Sequence, residues 1–154
     1  MPREPPVMRA MRGDMEAREG LERFTVYRWF ADPASRDVYV AEDHPIHERV
    51  FVAELRAASA RAGERSRAAE VVRALLEVSP EFAERWAELE VAAKHPRTKR
   101  FAHPELGTLE LDCQTLLDTD TGQRLLVFTA APGSPDAEKL ELLAVIGTQS
   151  FAAG

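Results

Sequence analysis

Cysteine occurs only once in this sequence of 154 residues, at Cys113, which excludes an intramolecular disulfide and every zinc site built from several cysteines. Positive charge is in deficit, because 20 lysines and arginines face 26 aspartates and glutamates, for a net charge of -6. A basic field over the whole molecule, of the kind that attracts nucleic acid, is therefore absent. No apolar run reaches the length of about 18 residues that a membrane span needs. These absences predict a soluble, cytoplasmic chain.

Signatures of catalysis and of cofactor binding are also missing. The sequence contains no phosphate-binding loop, no Ser-His-Asp elbow and no paired-carboxylate pattern, and it has no internal repeat. Hydrophobic residues make up 45% of the chain, which at this length suffices for one domain with a real core. The composition therefore predicts one domain and indicates no cofactor.

The first half of the chain has the pattern of helices. Proline after a capping residue marks helix starts at Asp32-Pro33, Asp43-His44-Pro45 and Ser79-Pro80. Apolar residues recur at spacings of three and four over 43–62, 68–76 and 80–93, which predicts amphipathic helices there, and a further short helix is predicted over 32–40.

After position 96 the apolar period changes from 3.6 to 2. Leu109, Leu111 and Cys113 alternate with polar residues, so this strand has one wet face. Strands over 98–103 and 123–131 flank it and complete a three-stranded antiparallel meander. The run 125–128 is apolar on both faces, which is typical of a central or helix-covered strand, and Ser134-Pro135 starts a final helix.

Two histidines stand three residues apart at a predicted helix start, His44 and His47. This spacing suits a metal ion if a third ligand approaches, whereas capping or surface positions are the ordinary interpretation. No H-E-x-x-H pattern is present, and we predict no metal site.

The single cysteine allows a second alternative. Cys113 with His103 and Asp112 supplies a nucleophile, a base and an orienting group for an uncharacterised hydrolase. However, Cys113 is on the apolar side of its strand, where a thiol usually behaves as a small buried hydrophobe. We predict no catalytic residue.

One dense basic run and one set of aromatic residues complete the candidates. The basic run comprises Lys94, His95, Arg97, Lys99 and Arg100. A solvated strand edge is its ordinary role, and contact with an anionic head group is the next alternative. The aromatic set either fills the core or lines a cavity between helices and sheet, and it comprises Phe51, Phe82, Trp86, Phe101 and Phe128.

A series of spaced motifs resembles the ligand-binding domain of MmyB-like transcription regulators. The resemblance runs from about Phe24 to about Leu143 and depends on Ser79-Pro80-Glu81-Phe82, Thr98-Lys99-Arg100-Phe101, His103-Pro104-Glu105-Leu106-Gly107, Leu109-Glu110-Leu111-Asp112, Gly122-Gln123-Arg124-Leu125 and Pro132-Gly133-Ser134-Pro135. It implies a PAS-like α+β fold, with a helical N-terminal half packed on a short antiparallel sheet of about three strands and a C-terminal helix.

The resemblance also implies a function. Such domains are carried behind a helix-turn-helix and are not enzymes, and their apolar cavity is proposed to bind a fatty acid or a similar amphiphile. This chain lacks a helix-turn-helix and the family's opening strands, so we expect a truncated regulator that does not bind DNA directly. We expect 1–20 to be a poorly ordered tail, 21–147 to be the domain and 148–154 to be a second tail.

Seven residues are the predicted ligand contacts. Six form the apolar lining, and Arg100, from the basic run, is expected to meet a carboxylate head group. The lining residues are Phe82, Trp86, Phe101, Leu111, Cys113 and Phe128. The alternative function is an interaction module that has lost sensing and pairs with a complete regulator, and an incomplete sheet also favours a homodimer through its exposed edge.

Overall fold

In a computed structural model, which describes residues 7–8, 11, 17–89, 93–118, 120 and 124–149, helices occupy the first part of the chain and strands the second. The chain divides into two compact units. The sheet unit comprises Met1–Glu16, Val38–Val40 and Pro96–Gly154, and the helical unit comprises Ala17–Asp37 and Ala41–His95. The predicted α+β class, with its three-stranded antiparallel sheet and C-terminal helix, is confirmed.

The helices of the helical unit are α1 (Thr25–Ala31), α2 (His44–Ala62), α3 (Arg67–Val78) and α4 (Pro80–Ala87), with 3-10 turns at Gly20–Arg23, Pro33–Val38 and Ala41–Asp43. Helices α2 and α4 begin at the predicted Asp43-His44-Pro45 and Ser79-Pro80. The hydroxyl of Ser79 accepts a hydrogen bond from the backbone N–H of Phe82 at 3.1 Å and so caps α4.

Two predicted helices differ from the observed ones. The short helix predicted over 32–40 is the 3-10 turn Pro33–Val38. Helix α4 ends at Ala87, earlier than predicted, because Leu89 adopts a φ of 53°, in the left-handed region that a right-handed helix cannot contain. Residues 90–92 of the predicted helix lie outside the described residues.

The core of the helical unit is aromatic and aliphatic. Trp29, Leu75 and Phe82 are among its fully buried side chains, and the rings of Phe30 and Phe82 meet edge to face with centroids 5.1 Å apart. Arg36 joins its 3-10 turn to α4 by a two-point ion pair with Glu81, with N···O distances of 3.1 and 2.6 Å. These contacts hold α4 against the first part of the unit.

The sheet unit contains β1 (Thr98–His103), β2 (Gly107–Leu117), β3 (Arg124–Thr129) and α5 (Pro135–Gln149), and the strand order is β1-β2-β3. The register pairs Phe101 with Leu109 and Cys113 with Phe128. Tyr39 forms an antiparallel bridge to Phe101 from the other side of β1. Residues 119 and 121–123 of the predicted hairpin loop, and 150–154 of the predicted C-terminal tail, lie outside the described residues.

The position of β3 corrects one expectation. Its apolar run predicts a central or covered strand, but β3 is the last strand of the sheet formed by the described residues, and Leu125 is 61% exposed. The sequence shows how apolar a strand is, whereas the neighbours of the strand depend on pairing across the fold.

Candidate functional site

One face of the sheet carries most of the buried side chains of the sheet unit. Since side chains alternate along a strand, the observed register puts Lys99 and Phe101 of β1, Leu111 and Cys113 of β2 and Phe128 of β3 on the same face. Phe101 and Leu111 are fully buried and Cys113 is half-buried. This inner face is where the sheet unit can enclose an apolar molecule.

A cavity of about 300 Å³ lies against the inner face. Its described lining is entirely apolar and comes from β2, β3, α5 and the N-terminal segment: Val7, Met8, Met11, Leu111, Leu126, Val127, Phe128 and Leu140. Ligand pockets in proteins span roughly 300–1,000 Å³ and are mostly apolar, so this cavity is at the small end of that range.

An aromatic row borders the cavity on the side of β1. The rings of Phe101 and Phe128 meet edge to face with centroids 5.4 Å apart, and the Tyr39 ring lies 5.2 Å from that of Phe101. The ammonium nitrogen of Lys99 lies 5.8 Å from the centre of the Phe128 ring, within the range of a cation–π contact. One basic side chain thus lies beside an aromatic residue of the inner face.

The structure brings together four of the seven predicted ligand contacts. Leu111 and Phe128 line the cavity, and Phe101 packs on Phe128. Cys113 is paired with Phe128 on the same face. Arg100 follows Lys99 in β1, so its side chain projects from the opposite face, where its partner in the register is Glu110.

The remaining two predicted contacts belong to the helical unit. The rings of Phe82 and Trp86 stack with centroids 5.4 Å apart, and Phe82 is fully buried. The guanidinium of Arg56 lies 4.1 Å from the centre of the Trp86 ring and donates a hydrogen bond to the Trp86 carbonyl at 2.6 Å. Both residues have a packing role in α4, and their part in ligand binding stays a prediction.

Sequence reasoning missed several residues of the cavity. Val7, Met8 and Met11 fall in the segment expected to be a tail, yet they line the cavity and Met11 is buried. A methionine cluster was the available signal, because flexible thioether side chains commonly line adaptable apolar sites. Lys99 could have been recognised because it lies two residues before Phe101 in a predicted strand, and residues two apart in a strand share a face.

The helical unit has a separate cavity of about 420 Å³. Its lining mixes small, polar and charged side chains from α2, α3 and the loop between them: Ser59, Ala60, Gly63, Glu64, Ala69, Val72 and Arg73. This composition suits an apolar ligand less well than the lining of the cavity in the sheet unit.

The structure places His103 far from Cys113, the nucleophile of the hydrolase alternative. His103 pairs with Gly107, six residues before Cys113 on β2, which is roughly 20 Å at about 3.4 Å per residue. The His103 ring nitrogen instead accepts hydrogen bonds from the backbone N–H groups of Glu105 and Leu106 in the turn, at 3.2 Å each. Cys113 and His103 therefore do not form a nucleophile–base pair.

The two histidines of the metal alternative pack on one tryptophan. The ring centroids of His44 and His47 lie 5.1 and 6.1 Å from that of Trp29. The Nε2 atom of His44 also lies 3.1 Å from the carbonyl oxygen of Arg36. Over the described parts of the chain there is no group of three or more His, Cys, Asp or Glu side chains that could hold a metal ion.

Two ion pairs in the helical unit shift the pKa values of Glu81 and Arg85. The hydrogen bonds from Arg36 hold the pKa of Glu81 below its usual value of 4.5. The hydrogen bond from Arg85 to the buried carboxylate of Glu48, at 2.5 Å, raises the pKa of Arg85. Both pairs tie α4 to other segments of the helical unit, so they stabilise the unit.

Comparison with known proteins agrees with the motifs. Residues 5–143 match the family described as MmyB-like transcription regulator ligand binding domain. The match begins before position 24, where the recognisable motifs start, and includes Val7, Met8 and Met11. No curated protein and no solved structure is significantly similar to the chain. No described helix is both long enough and apolar enough to cross a membrane.

Proposed function

This chain belongs to the MmyB-like transcription regulator ligand binding domain family, and from this premise we propose that its sheet unit binds a fatty-acid-like molecule and does not convert it. The observation that carries this proposal is the cavity of about 300 Å³ whose described lining is entirely apolar. A lining of that kind binds the apolar surface of an acyl chain. The bound ligand then acts as a signal.

The energetics favour an acyl chain over a small polar metabolite. Each buried methylene contributes about 0.8 kcal/mol, so eight methylenes contribute roughly 6 kcal/mol before the cost of immobilising the ligand. A polar metabolite in the same cavity would lose its hydrogen bonds to water, because the described lining side chains offer none in exchange.

Ligand binding produces a signal only if it favours one conformation over another. The cavity lining comes from β2, β3, α5 and the N-terminal segment, so an acyl chain that fills it contacts all four. The ligand then stabilises the arrangement in which these segments enclose it. Two states that differ in this enclosure bind the ligand with different affinities, as regulation requires.

The test uses two neighbouring leucines of β3. Leu126 lines the cavity and is half-exposed, so Leu126→Trp should fill the cavity without disturbing the core. Leu125 precedes it on the opposite face and does not line the cavity, so Leu125→Trp is the matched control. The whole chain is assayed by thermal shift with C12–C18 acids and by native mass spectrometry after purification from cells.

Saturating acid at about 100 times its Kd stabilises the folded state by about 2.7 kcal/mol, a Tm rise of roughly 5–11 °C. We expect this shift for the wild type and for Leu125→Trp, and a lost or much reduced shift for Leu126→Trp. A wild-type protein that carries no lipid and gains no stability with any of these acids would contradict the proposal.

A second candidate function is supported by the edge of the sheet. In the described part of the chain β3 pairs with β2 on one side only, and Leu116, Leu117 and Leu125 around it are more than half exposed. An apolar edge strand pairs readily with another strand. The alternative is therefore an interaction module that pairs with a second copy or with a complete regulator.

Light scattering after size-exclusion chromatography tests this alternative. We expect a dimer that Leu125→Lys converts to monomer, because a charge on an edge strand opposes pairing. A wild-type protein that stays monomeric at high concentration would contradict self-association. Pairing with a complete regulator is tested separately, by a pull-down with that regulator.

A further inference from the structure

The cavity of about 420 Å³ in the helical unit, which we call the helical cavity, is not used by the function proposed above. Its volume lies within the roughly 300–1,000 Å³ that is usual for ligand pockets. The apolar part of its lining consists of small side chains, Ala60 of α2 and Ala69 and Val72 of α3. Glu64 and Arg73 also line it, so the same cavity presents apolar surface and two opposite charges.

The two charges of the helical cavity do not neutralise each other. Within the described parts of the chain, the carboxylate of Glu64 has no ion-pair or hydrogen-bond partner, and Arg73 donates from Nη1 to the backbone carbonyl oxygen of Glu64 at 3.0 Å. The guanidinium therefore lies beside the backbone of the residue that carries the carboxylate. A guanidinium has five N–H donors, so Arg73 retains donors for a further acceptor.

The ends of two helices reinforce this separation of charge. Ser59 and Ala60 are in the last turn of α2, whereas Ala69 is in the first turn of α3. A helix C-terminus favours cations and a helix N-terminus favours anions, because the unpaired carbonyl and N–H groups there carry partial charges. The side of the cavity formed by the end of α2 and Glu64 thus favours a cation, and the side formed by α3 and Arg73 favours an anion.

A ligand that matches this lining carries an ammonium and a carboxylate close together, next to an apolar group. A free aliphatic α-amino acid has both charges on one carbon, and its side chain can pack against Ala60, Ala69 and Val72. An acid or an amine of the same length satisfies only one of the two charged side chains. The lining therefore distinguishes a zwitterion from either of its halves.

We propose that the helical cavity is a second ligand site, which binds an aliphatic α-amino acid with its ammonium on Glu64 and its carboxylate on Arg73. The inference goes beyond the function proposed for the sheet unit and does not depend on it, because no residue lines both cavities. An amino acid bound there contacts α2, α3 and the loop between them, so it stabilises their packing.

The experiment compares three ligands by isothermal titration of the whole protein. L-leucine carries both charges, isocaproate is leucine without the ammonium, and isoamylamine is leucine without the carboxylate. The variants Glu64→Gln and Arg73→Gln each remove one charge from the lining. Glu77→Gln and Arg67→Gln are the matched controls, because both side chains are exposed on α3 and neither lines the cavity. All titrations are repeated in Leu126→Trp, which fills the cavity of the sheet unit, so that isocaproate is measured at the helical cavity.

We expect the wild type and both controls to bind leucine about threefold to fivefold more tightly than isocaproate or isoamylamine, because an exposed ion pair contributes up to about that factor. Glu64→Gln should lose the preference over isocaproate and keep the preference over isoamylamine. Arg73→Gln should show the reverse. A purely structural role for the hydrogen bond from Arg73 would weaken all three ligands together and leave their ratios unchanged.

Three results would overturn the inference. The first is a wild type that binds none of the three ligands or binds all three equally. The second is a uniform loss in Glu64→Gln and Arg73→Gln, with unchanged ratios. The third is loss of a preference in Glu77→Gln or Arg67→Gln, which would place the site elsewhere on α3. None of these results bears on the fatty-acid proposal, which the C12–C18 acids test at the other cavity. The wild-type comparison decides against the inference even if a variant fails to fold.

Discussion

Phe101 is the side chain whose removal should cost the sheet unit most. It is fully buried at the centre of β1, its ring meets that of Phe128 at 5.4 Å and that of Tyr39 at 5.2 Å, and it also pairs with Leu109. Phe101→Ala removes both ring contacts and leaves a void that close-packed neighbours fill only partly.

Replacement of a buried phenylalanine by alanine typically costs about 3–5 kcal/mol, because the lost transfer free energy adds to the cost of the cavity. A whole domain is stable by only about 5–15 kcal/mol, so this change removes a large part of the free energy of unfolding. With a loss of about 4 kcal/mol and a urea m-value of about 2 kcal/mol/M, the unfolding midpoint should fall by roughly 2 M.

Urea unfolding followed by far-UV circular dichroism is the suitable assay. Fluorescence is less suitable, because the two tryptophans of the chain, Trp29 and Trp86, both lie in the helical unit. Leu125→Ala, on the exposed edge strand, is the control and should change the free energy of unfolding by no more than about 0.5 kcal/mol. A Phe101→Ala midpoint within about 0.5 M of the wild type, at an unchanged m-value, would refute the reasoning.

Two further predictions concern α4. Arg36 holds the pKa of Glu81 below 4.5, so this pair stabilises the fold above about pH 4.5 and the stabilisation is lost as the pH falls through the lowered value. Glu81→Gln should therefore lower the free energy of unfolding by under about 1 kcal/mol at pH 7, since the carboxylate side chain is 46% exposed. The loss should shrink near pH 3, and a loss that grows in acid would contradict this interpretation. Ser79→Ala should cost about 1 kcal/mol in urea unfolding, because it removes the cap on the Phe82 N–H, and Ser79→Gly only a few tenths, so equal costs would argue against a capping role.

Local patterns in the sequence predicted the secondary structure well. Strand β1 has the predicted bounds, Leu109 and Leu111 of β2 are buried while their polar neighbours are exposed, and α2 and α4 begin at the predicted caps and prolines. These features depend on residues within a few positions of one another, which is the range over which period, capping and turn chemistry act. The spaced motifs also sufficed to recognise the family.

The composition of the cavity could be predicted only in part. Leu111 and Phe128 follow from the alternation of their strands, and both line the cavity. Met8 and Met11 come from a segment remote in sequence, and no local pattern connects them to β2 or β3. Predictions by residue type alone also placed Arg100 at the site, although the strand alternation puts its side chain on the other face.

What the sequence by itself determined is the type and order of the elements, because hydrophobic period and capping are local properties of the chain. Only the tertiary structure decided which of those elements pack against one another and which side chains meet there. It left β3 at the edge of the described sheet and buried Lys99 beside Phe128, and it brought Met11 to the cavity. Each of these outcomes depends on contacts between residues far apart in the chain, where pairing register and packing outweigh local preference.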